Sequence, residues 1–160
     1  MNQDLLYRAA SLCAGSEHCC HDIREKLQKW GATPEETNEI VEHLIAEKYI
    51  DEERYARAYS RDKMRYSHWG RQKIDQGLRL LQISSPLRQQ ALAELPEEEY
   101  LDILSSILQS KQRSVKGKNA YERRGKLIRF ALGRGFEMDL IRECLPEEEG
   151  EGEDDERDFY

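Results

Sequence analysis

Apolar residues recur at three- and four-residue spacing through most of the 160-residue chain, a period that gathers them on one side of an α-helix. β-branched residues are scarce and no segment alternates apolar with polar, so strands are not expected. Start and stop signals divide the pattern. Thr33-Pro34-Glu35-Glu36 reads as a capping box with proline in the first turn, and Ser85-Pro86 repeats the device. Asp51-Glu52-Glu53 and the acids of Leu95–Tyr100 sit where a helix dipole favours negative charge, while Gly31, Gly70 and Gly135 fall at junctions. Together these signals predict helices near 3–14, 20–30, 34–47, 52–67, 71–82, 86–95, 97–113, 120–134 and 137–145.

The pattern repeats. Ile23, Leu27 and the turn Trp30-Gly31-Ala32 are matched 51 residues later by Ile74, Leu78 and Leu81-Gln82-Ile83, and 53 residues beyond that by Leu127, Ala131 and Arg134-Gly135-Phe136. A short helix ending in leucine follows each match, at Leu44, Leu95 and Leu145. The expected fold is all-α: three tandem three-helix repeats at 1–50, 51–95 and 96–146 in an elongated array, then a disordered acidic tail at 147–160. A three-helix unit of this size has a thin core, so neighbours must share buried surface.

Composition sharpens this picture. The apolar content of 38% is low for one thick core, and the net charge of -7 conceals blocks of opposite sign. Residues 54–88 carry nine basic side chains against two acidic ones, and 111–135 carry nine against one. Residues 147–158 hold nine acids, too polar to bury anything; without them the net charge is about +1. No apolar run reaches the length of a membrane span, the first twelve residues lack the build of a signal peptide, and four unevenly spaced cysteines do not make a disulfide framework. A cytoplasmic protein with free thiols is expected.

Candidate chemistry is sparse. His18-Cys19-Cys20-His21 has the residue types of a soft metal site. The repeat, however, makes Ile23 the first inward position of a helix, with Cys19 as its N-cap; consecutive helical side chains point about 100° apart and cannot close a tetrahedron around one ion. Cys13, His43, His68 and Cys144 show no paired spacing, so no metal and no cofactor are expected. The helix N-terminus would lower the Cys19 thiol pKa and leave it open to oxidation. The glycines of Leu132–Phe136 lie between helices, so they signal no phosphate loop or dinucleotide site, and no nucleophile, base and orienting acid assemble from spacing. Catalysis is not expected.

The basic blocks carry the functional signal. Arg54, Arg57, Arg61 and Arg65 recur at three- or four-residue spacing, which aligns them on one helix face, with Tyr55 and Tyr59 on a neighbouring stripe that packs inward. Arg71, Lys73 and Arg79 extend this zone onto the next helix. A second zone holds Lys116, Lys118, Arg123, Arg124, Lys126 and Arg129. Such faces suit phosphate or an acidic protein, and Tyr66 and Trp69 either stack on a partner or belong to the core. Major-groove reading by a helix-turn-helix is disfavoured: the third helices carry Glu35, Glu36, Glu39, Glu42 and Glu47 in the first repeat and Glu137, Asp139 and Glu143 in the last, which phosphates repel. Any nucleic-acid contact would run through the backbone, without base readout.

Three segments, "YIDEERYARAYSRDKMR" (49–65), "GRQKIDQGL" (70–78) and "RRGKLIRFALGRGFEMDLI" (123–141), resemble the RecX regulatory proteins of bacteria. Cys19 stands where that family usually has a capping serine, Arg71 where proline often follows the glycine, and Gln82 where a glycine closes the middle helix of the second repeat. The resemblance implies tandem three-helix repeats and a modulator of the RecA recombinase that lodges in the groove of the RecA–DNA filament, inhibits its ATPase and strand exchange, and limits filament extension. It thereby implies RecA as partner, with the two basic zones toward the filament of a monomeric protein; a nonspecific DNA-binding protein acting without RecA is the alternative. The acidic tail lies beyond the resemblance and would shield the basic zones in the free protein.

Overall fold

The computed structural model describes residues 1–145, so the expected disordered tail at 147–160 lies outside the described residues. Within them the chain is helical, with no strand. The helices are α1 (Gln3–Gly15), α2 (Cys20–Lys29), α3 (Pro34–Ala46), α4 (Glu52–Ser67), α5 (Arg71–Leu80), α6 (Ser85–Ala93), α7 (Glu97–Gln112), α8 (Ala120–Gly133) and α9 (Met138–Cys144). Local chemistry accounts for their starts. Thr33 Oγ1 accepts from the Glu36 amide at 3.1 Å while the Glu36 carboxylate accepts from the Thr33 amide at 3.0 Å, the reciprocal pair of a capping box. Asp51 and Asn119 cap α4 and α8 by accepting from the Arg54 and Glu122 amides. Ser85 is not the cap its sequence suggests. It already belongs to α6, and Ser84 holds the cap position without a side-chain bond. The Ser85 hydroxyl instead accepts from the side-chain Nε2 of Gln89 at 3.2 Å.

The repeat is written most clearly in the turns that end α2, α5 and α8. The amides of Ala32, Ile83 and Phe136 donate to the carbonyls of Leu27, Leu78 and Ala131 at 3.0, 3.1 and 3.2 Å, and those of Gly31, Gln82 and Gly135 donate to Gln28, Arg79 and Leu132. This is one Schellman termination made three times, and it requires a left-handed residue in the middle. Gly31 and Gly135 supply it at φ 87° and 96°; Gln82 is held there at φ 61°. A residue with a Cβ is disfavoured in that region by roughly 1 kcal/mol. Gln82→Gly is therefore expected to raise the thermal midpoint by about 2–4 °C, less whatever the looser unfolded chain takes back, as read by a circular-dichroism melt.

Backbone contacts gather the chain into two compact units, residues 1–60 with 77–94, and residues 61–76 with the chain from Leu95 onward. Contact grouping and sequence repeat thus divide the chain differently, because α4 and α5 of the middle repeat contribute residues to both units. In the first unit the inward stripes of α1, α2 and α3 meet: Leu5, Ala9, Cys13, Ile23, Leu27, Ile40, Val41 and Leu44, closed by Ile50. Tyr55 and Tyr59 of α4 lie with ring centroids 5.9 Å apart, and a Cβ on Gly77 of α5 would run into the Tyr59 hydroxyl. That contact gives a reason for a glycine inside a helix, where it otherwise costs on the order of 1 kcal/mol.

In the second unit the buried residues include Leu104, Leu108, Leu127, Ala131, Phe136 and Ile141. Its tightest point is backbone on backbone. The Gly70 amide donates to the Arg134 carbonyl at 2.7 Å and the Gln72 amide to the Gly135 carbonyl at 3.0 Å, bringing two chain junctions together where Cβ atoms on either glycine would collide with main chain.

Candidate functional site

The histidine–cysteine cluster is a helix start. Cys19 is the N-cap of α2, its side chain makes no capping bond and it is fully buried. His18 bonds the Ser16 carbonyl, His21 pairs with Glu25 one turn on at 3.2 Å, and no group of three or more metal-ligating side chains occurs among the described residues. The expected lowering of the Cys19 pKa is overturned. Burial pushes the thiol up to about 12, because losing water penalises the thiolate more than the helix end favours it. Cys20 is raised to about 11 by burial and by the nearby Glu52 carboxylate, which also accepts its amide at 3.0 Å. A raised pKa empties the thiolate at neutral pH. Cys13 and Cys19 are both buried, so both are expected to escape alkylation at pH 8 in the native protein and to react on unfolding, as mass-spectrometric peptide mapping would show.

The first basic zone falls in two places. In the first unit Arg54 is bound to Glu17, with Asp51 at 3.9 Å, and its guanidinium also reaches the Lys48 and Tyr49 carbonyls. Arg57 stands 3.9 Å from Glu53 and 4.0 Å from Glu94, distances that permit only loose pairing. In the second unit Arg65 forms a forked pair with Glu99 at 2.7 and 3.0 Å, which holds that carboxyl below its usual range. Arg71 binds Glu97 and, at 2.7 Å, Glu137; its guanidinium lies 4.0 Å from the centre of the Tyr100 ring. Tyr100 is fully buried, accepts the Arg71 amide at 2.9 Å and donates to Glu137, and its hydroxyl pKa is raised by burial. The aligned arginines thus largely tie α4 and α5 to acids far along the chain. Exposed pairs such as Arg65–Glu99 are screened by solvent, so they guide orientation more than they supply stability.

Arg61 is exposed, with no carboxylate in pairing range among the described residues. Arg79 is exposed, and Lys63 and Lys73 flank the half-buried Trp69 ring with their ammonium groups 4.7 and 4.8 Å from its centre. Trp69 is therefore occupied, whereas Tyr66 is 80% exposed.

The second zone is open in a different way. Arg123 and Arg124 donate to the carbonyls of Gly117 and Leu145 at 3.1 and 2.7 Å, bonds that position them without cancelling their charge. Lys126 caps the Lys116 carbonyl and has Glu122 at 3.8 Å. Lys116, Lys118 and Arg129 are exposed and have no acidic partner among the described residues. Arg113, at the C-cap of α7 and equally exposed, belongs to the same surface. It was absent from the expected contact set, although its basic block was plain. This loop and helix face can hold polyanions by charge.

An all-helical chain of three-helix units carrying a cationic loop and helix face is the class of protein this fold and surface define. Family models match two parts of it, the second three-helix domain of RecX over residues 51–92 and the third over residues 97–145, together more than half of the chain. Regulatory protein RecX of Vibrio vulnificus is 29% identical over 140 residues, covering 88% of this chain and 90% of that protein. The RecX of Geobacillus thermodenitrificans is 30% identical over 139 residues, which span 86% of this chain and 51% of the longer relative. The crystal structure of RecX from Lactobacillus salivarius superposes with a TM-score of 0.76 over 89% of this chain and 96% of that one, at 18% identity, a likeness of fold. The chain belongs to the RecX family and is a regulator of the RecX type. Among the described residues no helix is long and apolar enough to cross a membrane.

Proposed function

We propose that this chain is a negative regulator of the RecA recombinase: a cytoplasmic, non-enzymatic monomer, needing no cofactor, that lodges in the groove of the RecA–DNA filament and inhibits ATP hydrolysis and strand exchange. The observation that carries the reading is the match to two successive RecX domains across 51–92 and 97–145. The distribution of charge supports it, since a helical protein with cationic faces can hinder movement between filament protomers without any chemistry of its own. In this reading Arg57, Arg61, Lys73, Arg79, Lys116, Lys118, Arg123, Arg124, Lys126 and Arg129 meet the filament, while Arg54, Arg65 and Arg71 hold the helices that present them. The test is DNA-stimulated ATP hydrolysis by the cognate RecA. Suppression at substoichiometric protein is expected, and a rate unchanged at equimolar protein overturns the proposal.

One observation favours a second reading, a helical DNA-binding protein that acts without RecA: the exposed cations of 113–129 are accompanied by no exposed large apolar side chain. Protein interfaces need an apolar centre, whereas phosphate needs only charge. Tight binding to bare DNA that falls steeply with salt, without any effect on RecA, would select it.

A further inference from the structure

The first half of α7 carries a surface of the opposite sign. Glu99, Asp102, Ile103, Ser106 and Ile107 recur at three- and four-residue spacing, one stripe of that helix, and with His68 of the α4–α5 connection they line a cleft of about 180 Å³. All six residues belong to the second unit. Pockets for small molecules run from roughly 300 to 1,000 Å³, so this cleft has room for one side chain and not for a nucleotide. Its floor is aliphatic, with Ile107 buried and Ile103 half-buried. Its rim is acidic. Glu99 already holds Arg65 in a fork, whereas Asp102 is exposed and has neither a hydrogen bond nor an ion pair among the described residues. The neighbouring Glu98 is unpaired in the same way, and residues 89–110 contain five acids and no basic side chain. These carboxylates repel phosphate, and a purely apolar group would take water from Asp102 without replacing its hydrogen bonds. An arginine side chain meets both demands. Its methylenes cover Ile103 and Ile107 while its guanidinium forks onto Asp102, as that of Arg65 does onto Glu99 at the same rim.

We propose that the α7 cleft receives an arginine side chain from a segment of a protein partner, a contact that the cationic zones cannot make and that nucleic acid cannot supply. The cleft gives the regulator a point of protein recognition set apart from its polyanion-binding face. This assignment rests on the cleft's shape and charge, and it stands whether or not RecA is the protein that brings the arginine.

The probe is N-acetyl-arginine methylamide, titrated into the full chain with carbon-13 at the isoleucine δ1 methyls, in about 150 mM salt to screen diffuse attraction. Saturable shifts at Ile103 and Ile107 are expected, with a dissociation constant on the order of 1 mM for so small a ligand. The citrulline analogue keeps the shape and loses the charge, and should bind at least about fivefold more weakly. Asp102→Asn should weaken the arginine probe by a similar factor and leave the thermal midpoint unchanged, since that carboxylate has no partner to lose among the described residues. Ser106→Phe fills the cleft from an exposed position and leaves Asp102 in place, so the probe-induced shifts should vanish. Ile103 and Ile107 methyls that do not respond, citrulline binding equal to arginine, or probe shifts that survive Ser106→Phe overturn the proposal. So does spermidine binding as tightly as the arginine probe, which would make the cleft a polyamine site, and so do methyl shifts that follow protein concentration without probe, which would seat a second copy of the chain there.

Discussion

Gly70→Ala is expected to destabilise the protein by about 3 kcal/mol, at the upper end of what overpacking a buried position costs. A methyl at Gly70 would drive into the Gly135 carbonyl and the Phe136 nitrogen, and these are main-chain atoms that cannot swing aside as a side chain does. Relief would mean parting the two junctions and losing the Gly70–Arg134 and Gln72–Gly135 bonds, which leaves the amide of the buried Gly70 unpaired. It would also disturb the neighbouring Arg71 amide, which donates to the buried Tyr100 hydroxyl. The control is Gly133→Ala. A Cβ there meets nothing within 4 Å, so the change should be neutral or gain up to about 1 kcal/mol from helix propensity. Urea denaturation reads both: the Gly70 variant should unfold at a clearly lower midpoint with an unchanged slope, and equal midpoints for the two variants would refute the backbone clash.

The contrast between these glycines marks where the sequence stops being legible. That Gly70 lies at a junction follows from local punctuation; that only glycine fits follows from a contact with a segment 65 residues away, which no local pattern encodes. The helices, their three-fold repetition and the inward positions Ile23, Ile74 and Leu127 were legible because amphipathic period and turn chemistry are local properties. Gln82 stood out only through the resemblance, as a residue where that family has glycine; its left-handed backbone is a finding of the structure. Charge behaved otherwise. The alignment of Arg54, Arg57 and Arg65 on α4 is visible in the spacing, but their partners Glu17, Glu94 and Glu99 lie 34 to 37 residues away, and Arg71 reaches 66 residues to Glu137. Counting signs along the chain cannot separate a cation that faces solvent from one that folding has paired. Cys19 fails in the same direction: its place at a helix start is local, and the burial that outweighs the dipole is not.

That separation sets the largest functional effect expected. Under the proposed regulation of RecA, Lys116→Glu combined with Lys118→Glu and Arg129→Glu should raise the concentration needed to halve RecA ATP hydrolysis by on the order of tenfold or more, because three reversed charges replace attraction for a polyanion with repulsion. The thermal midpoint should stay within a degree or two, since none of the three side chains has an acidic partner to lose among the described residues. Arg65→Glu is a less clean probe. It sets two carboxylates against each other where a forked pair oriented α4, so reduced suppression by that variant reports lost orientation as well as lost charge. Arg61→Glu separates the zones: it lies on the α4 face but has no acidic partner to lose among the described residues. Full suppression by the triple variant, with suppression lost in Arg61→Glu, would move the contact to the first zone, whereas the reverse result keeps it on the α7–α8 loop and the face of α8.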